Sequence, residues 1–471
     1  MKQFKTLRFK FFLLFFYTLI VLNYLTNVFN NSIIETLIEI NFFDITSTFL
    51  LFIFLYLVSE EISSKFRLPY ISTGFVAYML SFFLVDILIL FLFTGIKFSV
   101  LFIFVNIAWL LLLISRKTNI KTLTLIISAF ILTNLYNNFF INAISKNINI
   151  LGDVKDIHFD HVKNIYTNNY FYSVSNASLE GYPQMVAYFH ATLNHISISN
   201  IEFNYLPSST NVLWLLTVLF IYETDLSRVS KYIFFLSFSA LIFNSEWLKF
   251  LFIDSLMTEG VLSYLFCIVL LSIVKSVKSN KINSYIPFML MGLLYFSKQF
   301  ISLLSLFVIV YFLLSKKNRK YAFIGTIGFL LKELSYLTYF KKITKNFHYK
   351  EIDFQDTFFD LILLRDLKLD NFLIILKNLS KDIPLTLVFI YWLLLTAIFF
   401  LKKNIDKKDI VLFTFLISIN FILIFTLYVS IWRNAELESP IRYMLNLLHL
   451  IFYSQFTIID KISEDGKSLN H

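Results

Sequence analysis

Long apolar runs separated by short polar stretches dominate the pattern along the chain. A helix that crosses a bilayer needs roughly 20 apolar residues, and by this criterion about fourteen runs, with about eleven as the lower limit, predict transmembrane helices. We place them at 9–29, 42–59, 70–94, 98–115, 122–141, 211–223, 232–248, 256–274, 284–297, 299–315, 321–339, 383–401, 409–431 and 441–459. The run at 211–223 is short, and Ser297–Lys298 interrupts a long apolar stretch. The pattern therefore predicts an all-α polytopic membrane protein.

Loops rich in basic residues alternate along the chain with loops that contain few. With the N-terminus in the cytoplasm, the loops predicted to be cytoplasmic hold clusters such as 116–121, 316–320 and 402–408, whereas the short loops on the other face hold few. Because Lys and Arg are enriched in cytoplasmic loops, this alternation predicts an even number of spans with both termini inside. The two long loops, 142–209 and 340–382, then lie on the outer face.

The loops divide the chain into five parts. We predict transmembrane helices over 1–144, an outer (periplasmic) loop with juxtamembrane helices over 145–209, central transmembrane helices over 210–339, a second outer loop over 340–382, and the last transmembrane helices with a short cytoplasmic tail over 383–471. In the second outer loop, apolar residues recur at helical spacing around Phe358, Leu361 and Ile362. That loop is either an amphipathic segment on the membrane surface or a solvated loop with a short helix.

Composition supports the membrane prediction. Hydrophobic residues make up 58% of the 471 residues and charged residues only 15%, whereas soluble domains carry about 25% charged residues. The net charge of +10 does not predict nucleic-acid binding, because the basic residues lie in short loops between apolar runs. The single cysteine, Cys267, excludes an intrachain disulfide and a Cys-rich metal site.

The first outer loop carries the densest group of candidate residues. Asp156 and Asp160 are four positions apart and would share a helix face, with His158 and His161 beside them. Phe159, Val162, Ile165 and Tyr166 form an apolar stripe at helical spacing, which predicts a juxtamembrane helix at the interface. The carboxylates are either catalytic or part of a solvated helix face. The histidines are either metal ligands with the aspartates or, as we favour, packed at the interface.

A helix start follows in the same loop, at Tyr182–Pro183. Glu180 precedes it as a second candidate carboxylate, or as an acidic residue that the helix dipole favours.

Three later positions on the predicted outer face offer charges at the ends of apolar runs. Asp254 stands at the start of a long apolar run, which by default suggests function, although helix capping is an equal alternative. Lys298 lies between two apolar runs, where it either binds a phosphate or extends to the interface. Arg442, followed by Tyr443, suits bidentate phosphate recognition, or else pairs with Glu438.

Several of these pieces, in this order and on one face, resemble a known group of enzymes. They are Asp156 to His161 with the basic and aromatic run that follows, Gly181–Tyr182–Pro183 opening a helix, Asp254 at the outer start of a middle span, Ser297–Lys298 in a late pair of spans, and Ser439–Pro440–Ile441–Arg442–Tyr443 near the end. From residue 150 onward the chain is similar to the GT-C superfamily of integral membrane glycosyltransferases that use polyprenyl-phosphate sugars, in its loosely related bacterial members.

The resemblance implies an inverting sugar transfer on the extracytoplasmic face of a bacterial inner membrane. Asp156 would be the catalytic base, with Asp153 and Asp160 as alternatives, and Asp254 a second catalytic residue. The substrates would be held by the residues Asp160, His161, Glu180, Tyr182, Lys298, Arg442 and Tyr443. A divalent cation, Mg²⁺ or Mn²⁺, would have Asp156, Glu180 and Asp254 as candidate ligands, since some members of the superfamily use a metal and others do not. The implied partners are a polyprenyl-phosphate sugar donor, an acceptor that is a surface glycan, lipid or protein, and the membrane lipids.

Two other function classes stay open. A polysaccharide polymerase or ligase also has many spans and a large basic outer loop. A flippase or transporter would show ionisable residues deep within several spans, and only Asp86, Lys332 and Glu333 meet that description here.

Overall fold

The structure, a computed structural model, describes residues 42–90, 96–136, 160–168, 185–197, 206–244, 258–279, 282–297, 299–335, 377, 383–402, 407–430 and 444–468. These residues form helices and their connections, with no strand among them. The helices are α1 (Phe42–Phe66), α2 (Ile71–Leu90), α3 (Phe98–Ser115), α4 (Ile120–Tyr136), α5 (Asp160–Thr167), α6 (Met185–Ser197), α7 (Leu206–Glu223), α8 (Arg228–Asn244), α9 (Thr258–Lys278), α10 (Tyr285–Leu293), α11 (Gln299–Leu314), α12 (Arg319–Ser335), α13 (Ile383–Leu401), α14 (Lys408–Ser430) and α15 (Leu448–Ser468). Two 3₁₀ turns, Leu294–Phe296 and Leu445–Leu447, follow α10 and precede α15.

Every predicted span after the first overlaps a described helix. Among the described helices, α2, α3, α9 and α13 are long and apolar enough to cross a membrane, and α4, α7, α10 and α11 contain shorter apolar segments. The all-α prediction is confirmed within these ranges, and these four long apolar helices are consistent with a membrane protein. The count of about fourteen spans stays a prediction. The first predicted span and, apart from Lys377, the loop 340–382 lie outside the described residues.

Helix α9 forms the centre of the bundle. From Val261 to Leu271 its apolar side chains are at most 2% exposed, as expected for a helix that is apolar all round its surface. It packs against α2, α10 and α15, among others. By contrast, α3 and α13 expose large side chains such as Phe104, Leu111 and Leu393. An apolar surface of this kind suits contact with lipid.

Polar contacts join the loops that the charge pattern predicts to be cytoplasmic. The Glu223 carboxylate at the end of α7 accepts hydrogen bonds from the backbone N–H groups of Ile71 (2.5 Å) and Ser72 (2.9 Å) at the start of α2. Lys275 pairs with Asp225 at 2.7 Å. These loops therefore lie together at one end of the bundle, which we call the inner end.

Loops predicted to be extracytoplasmic meet at the opposite end, which we call the outer end. The backbone N–H of Phe98 donates to the carbonyl of Asn168 at 2.5 Å. The Asn134 side chain donates to the carbonyl of Ile196 at 3.3 Å. The predicted alternation of loops thus fits the described helices, and the cytoplasmic side of the inner end stays a prediction.

Candidate functional site

Most of the predicted site residues lie outside the described ranges. These are Asp156, Glu180, Tyr182, Asp254, Lys298, Arg442 and Tyr443, together with the alternative base Asp153. Asp160 is described only by its backbone, as the first residue of α5, and His161 is described with its side chain. The geometry of the site is therefore read from the elements that border these residues in the chain.

The first outer loop contains two packed helices, α5 and α6. Val162, Ile165 and Tyr166 of α5 are at most 6% exposed, whereas Lys163 between them is exposed. The predicted apolar stripe is thus confirmed for its described members. His161 is also buried, as packing at the interface predicts. Among the described residues, no group of three or more His, Cys, Asp or Glu side chains is arranged to hold a metal ion.

His195 near the end of α6 lies in an aromatic enclosure. Its ring centroid is 4.5 Å from that of Phe102, 5.1 Å from that of Tyr166 and 5.4 Å from that of Phe98. The Nδ1 atom is buried and has no hydrogen-bond partner among the described residues. Burial lowers the pKa of His195 to about 4 and that of His190 to about 3, and raises the pKa of Tyr166 to about 12. At neutral pH these groups are uncharged, so they can pack or donate hydrogen bonds but cannot neutralise a phosphate.

The first turn of α6 and the turn after α10 meet on one residue of α2. The Phe83 ring lies 5.4 Å from the Tyr188 ring and 5.2 Å from the Phe296 ring, between centroids. The Tyr188 hydroxyl donates to the carbonyl of Phe82 at 3.1 Å. Tyr188 follows the Tyr182–Pro183 helix start by a few residues, and Phe296 directly precedes Ser297–Lys298. The predicted segments at Tyr182–Pro183 and Ser297–Lys298 thus border two elements that both contact the Phe83 ring.

A second meeting point joins α9 to the start of α15. The turn Leu445–Leu447 packs against α9. The backbone N–H of His449 donates to the Ser263 hydroxyl at 3.0 Å. Helix α9 begins four residues after Asp254, and this turn begins three residues after Arg442. Helix α9 also contacts α6 and α11, so one central helix borders all these elements.

The predicted interruption at Ser297–Lys298 is confirmed as a break between two helices. Helix α10 passes into the turn Leu294–Phe296, Ser297 is extended (φ −80°, ψ −175°), and α11 starts at Gln299. At this break the Lys332 ammonium donates to the carbonyl of Tyr295 at 2.7 Å and to the Ser302 hydroxyl at 3.3 Å. It also lies 4.3 Å from the centroid of the Tyr295 ring.

Sequence reasoning assigned no site role to His195, and it counted Lys332 only as an ionisable residue in a span. Two adjacent ionisable residues, Lys332 and Glu333, within an apolar run were a usable signal for Lys332. His195 lies in a loop with many polar residues, so nothing in the sequence distinguished it from its neighbours.

Compared with protein-family models, with curated proteins and with solved structures, the chain gave no match.

Proposed function

We propose that the chain is a membrane glycosyltransferase that moves a sugar from a polyprenyl-phosphate donor to a glycan, lipid or protein acceptor on the outer face of the membrane. The observation that carries the proposal is that α9 contacts α6, α11 and the turn Leu445–Leu447. Each of these elements begins within a few residues of a candidate segment, and their starts belong to the predicted outer face. Charged residues from distant parts of the chain then have a common region in which to act.

The chemistry requires one base and one source of positive charge. In an inverting transfer the Asp156 carboxylate takes the proton of the acceptor hydroxyl as that oxygen attacks the anomeric carbon. The bond from the anomeric carbon to the phosphate oxygen breaks, and the lipid phosphate leaves with the electron pair. Lys298 and Arg442 stabilise the charge on that phosphate.

The remaining carboxylates orient the acceptor. Asp254 holds the acceptor together with Glu180, and the same two residues with Asp156 would ligate Mg²⁺ or Mn²⁺ if the reaction uses a metal. Tyr182, Asp160 and Tyr443 would line the sugar and lipid positions.

A transfer assay in membranes with a radiolabelled polyprenyl-phosphate sugar tests the proposal. We expect Asp156→Asn to reduce transfer by about 100-fold or more, because general base catalysis contributes about 10²–10⁴-fold. Asp254→Asn should also reduce transfer. Asp225→Asn is the matched control, since this exposed carboxylate lies at the inner end and its loss should leave transfer unchanged. Wild-type activity in Asp156→Asn, with protein levels equal, would remove Asp156 as the base.

One observation favours transport as a second candidate function. Asp86 is 3% exposed within α2, and buried ionisable groups inside membrane helices often mark ion pathways. Ion-coupled movement of a lipid-linked sugar would then depend on Asp86. If the chain is a transporter, Asp86→Asn abolishes movement of the lipid-linked sugar. The wild-type protein then shows no sugar transfer in the same membranes.

A further inference from the structure

The turn between α11 and α12 carries a group of basic side chains that the proposed function does not use. All of them are exposed, and they are Lys316, Lys317, Arg319 and Lys320. We call these four residues the basic turn. From 260 to 332 the sequence contains no Asp or Glu, and this range includes nearly all of α9, all of α10 and α11 and most of α12. The basic turn therefore concentrates positive charge in a long segment without carboxylates.

Hydrogen bonds hold the backbone of the basic turn in one shape. The backbone N–H groups of Asn318 and Arg319 donate to the carbonyl of Ser315 at 3.1 and 3.0 Å. The Asn318 side chain is buried and donates to the Ser315 hydroxyl at 3.3 Å. Arg319 Nε donates to the carbonyl of Leu313 at 3.0 Å, a bond that uses one of the five N–H donors of a guanidinium. The basic side chains are thus presented by a backbone of fixed shape.

Contacts with α10 place the basic turn at the inner end. The backbone N–H of Asn283, just before α10, donates to the carbonyl of Arg67 at 3.0 Å, and Arg67 lies in the connection between α1 and α2. The Tyr285 ring at the start of α10 is 4.8 Å from the Tyr321 ring, between centroids. Tyr321 directly follows the basic turn, so the turn lies at the same end as the start of α2.

Other basic residues at this end face carboxylates. The ion pairs there are Lys65 with Glu61, Lys275 with Asp225, and Lys278 with Asp409. Helix α14 packs against α11, and its Asp409 belongs to one of these pairs. Within α10, α11 and α12 the one carboxylate is Glu333, near the opposite end of α12. These three helices therefore supply no counter-charge to the basic turn.

An exposed apolar stripe continues from the basic turn along α12. Phe323 is 65% exposed, Ile327 47% and Leu330 59%, and residues three and four apart lie on one face of a helix. Lys320 precedes Phe323 by three residues and lies on that face, with its ammonium 4.7 Å from the centroid of the Tyr321 ring. Tyr and basic residues are typical of the level at which a membrane helix meets the lipid head groups.

An anionic phospholipid matches both parts of this surface. Lys binds a phosphate as a point charge, and Arg binds it through paired N–H donors. The acyl chains cover the apolar stripe, which a free phosphate or an acidic protein segment would leave uncovered. Basic clusters beside membrane helices bind such head groups at the cytoplasmic surface.

We propose that the basic turn and the stripe Phe323–Ile327–Leu330 bind an anionic phospholipid of the leaflet at the inner end. In the predicted topology this is the cytoplasmic leaflet. The proposed sugar transfer takes place at the outer end, so this lipid site does not rest on the proposed function.

Thermal unfolding of the purified full-length protein in a neutral detergent tests the proposal. The probes are phosphatidylglycerol, which is anionic, and phosphatidylcholine with the same acyl chains, which has no net charge. We expect phosphatidylglycerol to raise the Tm of the wild-type protein by about 2 °C more than phosphatidylcholine does, because a ligand that binds only the folded state stabilises it. A combined variant with Lys316→Gln, Lys317→Gln and Lys320→Gln should lose most of this difference. Its Tm without lipid should stay close to that of the wild type, since all three side chains are exposed.

A matched variant removes the same charge from other exposed positions at the inner end. It combines Lys117→Gln, Lys121→Gln and Arg228→Gln, and it should keep the full difference between the two lipids. Equal losses in the two combined variants would show attraction to the overall positive charge of this end and would overturn the proposal. Equal rises with the two lipids in the wild-type protein would overturn it as well.

Two soluble anions separate a lipid from other partners. Inorganic phosphate and polyglutamate, each at the same concentration of negative charge, should leave the Tm of the wild-type protein unchanged. A rise with phosphate that matches the rise with phosphatidylglycerol would assign the basic turn to a free anion. A matching rise with polyglutamate would assign it to an acidic protein partner, and either result would overturn the lipid site.

Discussion

At the scale of single residues, Lys332 shows how a charge is held within an apolar helix. In a continuous helix the carbonyl of Tyr295 would accept from the N–H four residues later. The break at Ser297 prevents this, and the Lys332 ammonium at 2.7 Å and the Ser302 hydroxyl at 2.9 Å donate to that carbonyl instead. Lys332 thereby connects α12 to the interrupted helix pair and fixes the shape of the break.

We predict that Lys332→Met lowers the stability of the folded protein by about 1–3 kcal/mol, because the partly buried carbonyl of Tyr295 loses its charged donor and keeps the weaker, neutral bond from the Ser302 hydroxyl. Thermal unfolding in detergent measures the change. Lys320→Met, at an exposed position of the same helix, is the control and should change stability by less than about 0.5 kcal/mol. Equal midpoints for the two variants would contradict the role given to Lys332.

His195 predicts a dependence of stability on pH. Its pKa is about 4 in the folded protein and about 6.5 in an unfolded chain. The unfolded state therefore binds the proton more tightly. The stability that neutral His195 contributes is fully present above about pH 6.5, and it is lost as the pH falls from there towards about 4, by at most about 3 kcal/mol.

His195→Phe keeps an aromatic ring in the enclosure and removes the titrating group. The variant should lose less stability than wild type between about pH 7 and about pH 5. Denaturant unfolding at a series of pH values measures the difference. Parallel pH curves for wild type and variant would show that His195 does not titrate as proposed.

At the scale of elements, the crossing of α10 and α12 depends on glycine. A Cβ atom at position 328 would lie 2.2 Å from the carbonyl carbon of Gly292, and one at position 292 would lie 2.2 Å from the carbonyl oxygen of Gly325. No side chain fits at such distances, so these glycines allow the two helix backbones to touch.

We predict that Gly328→Ala is destabilising by about 1–3 kcal/mol, although alanine favours the helix by about 1 kcal/mol, because the methyl group forces α10 and α12 apart. Ile327→Ala, at an exposed neighbouring position, serves as the control. Thermal unfolding compares them, and a Gly328→Ala variant as stable as wild type would show that the two helices can separate without cost.

The apolar pattern was enough to predict most elements. Helix α3 has the predicted bounds, and the break at Ser297–Lys298 appears where polar residues interrupt the run. Burial of Val162 and Ile165 likewise followed from helical spacing. The hydrogen-bond partners of Lys332 and the aromatic rings around His195 could not be predicted, because they depend on which helices cross, and helical spacing in one segment does not contain that information.

At the scale of the whole molecule, α9 connects the parts of the predicted site. It is buried along most of its length. It contacts α2, which precedes the first long outer loop in the chain, α6 within that loop, and α15 near the end of the chain. The inner end is joined by Glu223 and by the pair of Asp225 with Lys275. The loops predicted to carry the chemistry belong to the opposite end. The proposed function, with a substrate in the outer leaflet, requires the reactive groups to lie at that end, away from the contacts that join the inner end.

Site-directed thiol labelling tests this two-sided arrangement most directly. The single cysteine of the wild-type chain, Cys267, is 0% exposed, so the unmodified protein should not react and provides the background. Lys163 on α5 and Asp225 at the inner end are both exposed. In sealed, right-side-out membrane vesicles, Lys163→Cys should react with a membrane-impermeant maleimide, and Asp225→Cys should react only after the vesicles are opened. The reverse result, with Asp225→Cys reactive and Lys163→Cys protected, would put the first long loop in the cytoplasm and contradict the proposed outer-face site.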